Sequence, residues 1–75
     1  AQTPQMTRAC TAEIGNAEAQ IAEARKKPEY RSEMGRYVLS AADRWVHQAR
    51  RHAAKGEPRN CVSAAQKAQQ QLAAR

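Results

Sequence analysis

WVHQARRHAAKGEPRNCVSAA, residues 45–65, holds a helix stop, a helix start and a cysteine within one short span. Gly56 follows a run of strong helix formers, and a glycine just past a last turn commonly ends a helix. Two residues on, Pro58 suits the first turn of a new helix, where its missing N–H would be unpaired anyway. A break this short folds the two helices back on each other.

Toward the N-terminus, a helix is expected from about Glu29 or Ser32 to Lys55. Met34, Val38, Ala41, Ala42, Trp45, Ala49 and Ala53 share one of its faces, with Leu39 and Val46 on the flank. This is the broadest apolar face in the chain, so this helix is expected in the middle of the fold, with Trp45 as its main core residue. Toward the C-terminus, Cys61, Ala65, Ala68 and Leu72 form a narrower seam, with Gln66, Gln69 and Gln70 on exposed faces. The tail Ala73-Ala74-Arg75 is expected to fray.

Residues 4–27 carry a third amphipathic pattern. Thr3 and Pro4 suit a helix start, and Met6, Cys10, Ile14, Ala17, Ile21 and Ala24 recur at spacings of four and three. Arg8, Glu18 and Arg25 lie opposite this seam. Gly15 invites a close approach by a neighbouring helix. Arg25, Lys26 and Lys27 suit the negative end of the helix dipole, and Pro28 ends or kinks the helix. The expectation is an all-α single domain, residues 1–75, with helices at about 4–27, 29–55 and 58–74 in an up-down-up bundle. The first and third helices then run parallel, which brings Cys10 and Cys61 to the same end.

That pairing matters because the interior is thin. Of the 75 residues, seventeen are alanine and none is phenylalanine. Burial is worth only about 0.8 kcal/mol per methylene-sized group, and chains this short are marginal without a covalent staple. Two cysteines in an oxidising compartment usually pair, and a Cys10–Cys61 disulfide would constrain the unfolded chain by about 4 kcal/mol. The opening residues AQTPQ resemble the end left after a signal peptide is cut away, so a periplasmic or secreted location is expected. No apolar run approaches the roughly 20 residues of a membrane span.

Net charge is +6, and it is unevenly spread. Residues 1–24 carry one basic and three acidic side chains, whereas residues 25–75 carry twelve basic and four acidic. A cationic surface favours acidic proteins and polyanions, and it also keeps a small protein soluble.

Trp45, Ala49, His52, Gly56, Cys61, Ala65 and Ala68 fall at the spacing of the paired helices in a tetratricopeptide repeat. Residues 42–75 thus resemble one repeat of that family. His52 and Ala65 stand where its aromatics would be, and residues 4–27 do not repeat the pattern. The resemblance implies an antiparallel hairpin packed closely across Ala49, Cys61 and Ala65, and a role in protein interaction. No functional residue carries over from it.

Tyr30, Tyr37, Arg44 and Arg51 form a column at heptad spacing on the second helix, joined by His47 and Lys55. Tyrosine and arginine combine apolar area with hydrogen-bond donors, the chemistry that contact surfaces favour. The same column also suits a solvated helix side whose rings cover the core edge. A second candidate is a basic cluster of Arg44, Arg50, Arg51, Lys55 and Arg59 around the Gly56 turn, beside the third helix's N-terminus, for a polyanion such as nucleic acid, anionic lipid headgroups or acidic polysaccharide. Part of this cluster also serves to complement a helix C-terminus.

No catalytic or metal site is expected. His47 and His52 are five residues apart and point to different faces, unlike a two-histidine metal pair. Asp43 and His47 are placed to meet on one face, but nothing nearby completes a ligand set or a catalytic group. No cofactor is implied. The expected function is that of a small exported module that docks a protein partner without catalysis, with polyanion binding as the alternative. Alanine seams at four-three spacing also suit pairing between chains, so a homodimer is a further alternative.

Overall fold

The structure, a computed structural model, describes residues 4–73 and the side chains of residues 6–73. Three helices make up the bundle: α1 (Pro4–Arg25), α2 (Glu33–Ala54) and α3 (Pro58–Ala73). Cross-helix contacts define the directions. Cys10 meets Cys61 and Gln20 meets Gln69, so α1 and α3 run parallel. Glu18 meets Arg50 and Arg25 meets Asp43, so α2 runs antiparallel to α1. The fold is the up-down-up three-helix bundle, stapled by the Cys10–Cys61 disulfide. Thr3, Ala74 and Arg75, to which a cap and a frayed tail were assigned, lie outside the described residues.

The α2–α3 turn follows the glycine logic closely. Gly56 has φ 74°, the left-handed conformation that costs glycine nothing. Glu57 N–H donates to His52 O at 2.8 Å and Gly56 N–H to Ala53 O at 3.1 Å, the paired bonds of a Schellman motif. A side-chain bond reinforces the same turn: His52 Nδ1 lies 2.7 Å from Glu57 Oε1. This contact holds the Glu57 carboxyl below the usual glutamate range.

Of the two starts expected for α2, the structure shows the one at Ser32. α2 does not begin at Glu29. Pro28–Arg31 form a short 3₁₀ turn, and Ser32 then caps α2 by accepting a hydrogen bond from Gly35 N–H at 3.0 Å. The turn swings Tyr30 inward, where it is only 8% exposed and donates its hydroxyl to Leu72 O at 3.4 Å. Tyr30 therefore does not belong to the surface column.

Two small clusters form the core. Cys10, Ala49, Cys61, Ala64 and Ala65 make one; Ala17, Ile21, Ala42, Val46 and Ala68 make the other. Ile14 and Trp45 pack against both. Trp45 is half-buried rather than enclosed, and the Lys67 ammonium sits 4.7 Å from its ring centroid, a cation–π contact. Met34 also leaves its expected place: it is 66% exposed. The helix that makes the broadest interfaces with both neighbours is α3, not α2, while α1 and α2 touch least. Its alanine seam explains this, because small side chains let both neighbours approach closely.

Polar contacts cross where solvated faces were expected. Gln69 and Gln66 donate to the Glu13 carboxylate, each at 3.0 Å, and Asn16 adds a bond at 3.3 Å. The donors from Gln69, Gln66 and Asn16 hold the Glu13 carboxyl below the usual glutamate range. A lowered folded pKa means stabilisation that is complete at neutral pH and lost as pH falls through the glutamate range. Urea midpoints at pH 7 and pH 3 check this, and Glu13→Gln is expected to lose less on acidification than the native chain.

Gly15 meets open space: beyond the backbone of its own helix, no atom lies within 4 Å of where a Cβ would stand. No neighbour approaches there, so the glycine only weakens α1. Gly15→Ala is expected to stabilise the domain by about 0.5–1 kcal/mol, read from denaturant melts.

Candidate functional site

α1 covers one face of the α2–α3 hairpin, and a groove of about 560 Å³ lies along α2 and α3 beside Trp45. Tyr37, Ser40, Ala41, Arg44, Trp45 and Gln48 of α2 line it, with Gln71 of α3 on the far wall. Helical spacing puts these α2 residues on one side, at offsets of three, four and seven. Tyr37 is 68% exposed. It and Met34, one turn before it, are the exposed large apolar side chains among the described residues. Beyond Trp45 a smaller hollow continues along the hairpin, lined by His52, Asn60, Ser63, Ala64 and Lys67.

The expected binding column therefore splits. Tyr37 and Arg44 face the groove, Arg51 and Lys55 are exposed further along α2, and Tyr30 is buried at the bundle's end. His47 lies on the other side of α2, in a depression toward α1 with Glu18, Arg25, Asp43 and Arg50. Asp43 does not pair with His47 there; its carboxylate accepts from Arg25 at 2.8 Å.

The basic cluster loses a member in the same way. Arg50 reaches α1 and pairs with Glu18. Its charge is thus turned away from the Gly56 turn, where Glu57 already places a carboxylate beside the start of α3. Arg44, Arg51 and Arg59 make no ion pair among the described residues. Also among the described residues, no three His, Cys, Asp or Glu side chains stand close enough to hold a metal ion, and no helix is long and apolar enough to cross a membrane.

Of the groove's lining residues, Ser40, Ala41, Trp45, Gln48 and Gln71 belong to neither site expected from sequence, nor does Lys67 in the hollow beyond. Trp45 was placed in the core by its apolar phase, and Lys67 was not singled out. The available signal was position: Trp45 sits at the edge of its apolar face, next to Arg44 and Gln48, and an edge tryptophan shows one side to solvent.

No known protein-family model matches the chain, nor does any curated protein or solved structure. Fold and surface together define a disulfide-stapled helical bundle that carries an aromatic, cationic groove.

Proposed function

We propose that this chain is a small exported binding module that docks a protein partner on the open face of its α2–α3 hairpin, with no catalysis of its own. The observation that carries this reading is the exposure of Tyr37 and Met34 beside a groove walled by Trp45 and Arg44. Tyrosine, tryptophan, arginine and methionine are the residues enriched where proteins touch. Leaving two such large apolar side chains in water serves no packing purpose, whereas a partner would bury them. Export is supported by the Cys10–Cys61 disulfide, since such bonds persist outside the reducing cytosol.

Polyanion binding is the second reading, favoured by Arg44, Arg51 and Arg59, which make no ion pair among the described residues. One comparison separates the two. A stoichiometric protein complex that holds at physiological salt, and that Tyr37→Ala weakens by about tenfold or more, supports docking. Affinity for heparin or DNA that falls steeply with salt and ignores Tyr37→Ala supports the polyanion instead.

A further inference from the structure

The chemistry of the groove narrows the partner. Its seven lining side chains include Arg44 and no carboxylate, and the hollow that continues it adds Lys67 and again no carboxylate. Most of the acidic residues are spent elsewhere. Glu13 is held by glutamines on the α1–α3 side, and Glu18 and Asp43 pair with Arg50 and Arg25 between α1 and α2. Glu23 pairs with Lys26 on α1, and Glu57 is engaged by His52 in the turn. Glu29 lies in the 3₁₀ turn, and Glu33 stands one turn before Tyr37 on the same side of α2, so one carboxylate marks the groove's N-terminal end. The groove is therefore apolar at Tyr37, Ala41 and Trp45, polar at Ser40, Gln48 and Gln71, and positive at Arg44, and the hollow beyond it is mainly polar with Lys67, on a chain whose net charge is already +6.

We infer that the groove receives an amphipathic helix with acidic flanks, seated as the fourth helix of the bundle; this rests on the docking reading above. Two antiparallel helices leave a straight channel that suits a third rod, and helix-in-groove docking lays an apolar stripe along such a channel. From Tyr37 to Gln48 the groove runs about 16 Å at the helical rise, about three turns of a partner helix, and the hollow that shares Trp45 with it extends the line toward His52. Trp45 and Tyr37 offer apolar surface to its stripe, while Arg44 and Lys67 face its carboxylates. A second copy of this chain is a poor occupant: the same face on both copies would set Arg44 and Lys67 against like charges. A duplex nucleic acid is also a poor occupant, since its bases are stacked on each other and would leave the Met34 and Tyr37 surface wet.

Trp45 is the single tryptophan, so its emission reports occupancy directly. The probes are three capped, tryptophan-free 16-residue peptides. One is an amphipathic helix with a leucine stripe and glutamate flanks. The second has lysine for every glutamate, and the third keeps the acidic composition with the leucines scattered around the helix. The expected result is saturable binding of the first at micromolar concentration, at least about tenfold tighter than either of the others. Tyr37→Ala weakens it, and Arg44→Glu removes the preference for glutamate over lysine; both residues are exposed, so both variants keep the fold. Equal binding of all three peptides, tighter binding of heparin or duplex DNA than of the glutamate helix, or no binding at all overturns the inference. If the peptides fail while a stoichiometric protein complex still depends on Tyr37, only the helical acidic occupant is wrong. If that complex is also indifferent to Tyr37, the docking reading falls with it.

Discussion

Removing the Cys10–Cys61 crosslink lowers the unfolding free energy by about 4 kcal/mol and the melting temperature by on the order of 20 °C. The bond joins residues 51 apart in sequence, so reducing it releases a long loop of the unfolded chain. The folded side has little to offset that loss. Among the described residues Cys61 is itself the largest side chain that is fully buried, and most of its buried neighbours are alanines. A domain of 75 residues holds about 4–11 kcal/mol in total, so the crosslink supplies a large share of its margin. Thermal and urea melts of the Cys10→Ala/Cys61→Ala double variant, and of the native chain with and without reductant, check this. A shift of only a few degrees would show that the alanine core holds without its tie.

Gly35→Ala is the second large effect, a net destabilisation of about 2 kcal/mol despite alanine's better helix propensity. A Cβ built at Gly35 would stand 2.4 Å from Tyr30 Cα and 2.8 Å from Glu29 O, both backbone atoms that cannot rotate away. The 3₁₀ turn must then lift off α2, and it takes with it the buried Tyr30 ring and its bond to Leu72. The same substitution at Gly15 meets open space, so the two variants should move the urea midpoint in opposite directions. If Gly35→Ala stabilises the domain as Gly15→Ala does, the packing assigned to the 3₁₀ turn is wrong.

Neither glycine was legible from local pattern, since the close approach expected at Gly15 occurs at Gly35 instead. The Gly56 stop, the Pro58 start and the meeting of Cys10 with Cys61 follow from helix phase and chain direction, which are legible one segment at a time. Tyr30 is different. Heptad spacing carries it smoothly into the Tyr37 column, but Tyr30 belongs to the turn that Pro28 starts, Ser32 restarts the chain before Tyr37, and phase is lost across a restart. Arg50 and Glu18 are 32 positions apart in sequence, so their pairing depends on how α1 is rotated against α2. The α2 periodicity contains no such information. The groove itself was half legible: Tyr37 and Arg44 stood out by chemistry, whereas Trp45 at the edge of its apolar face suited both core and surface. Only the position of α1 on the far side of the hairpin decides it.

The most direct test of the docking account is an amide and indole chemical-shift map of the chain titrated with its stoichiometric protein partner. The account predicts that perturbations concentrate at Tyr37, Arg44, the Trp45 indole, Gln48, Lys67 and Gln71, with the outer face of α1 unchanged. Perturbations confined to α1, or to Arg59 and the Gly56 turn, would contradict it.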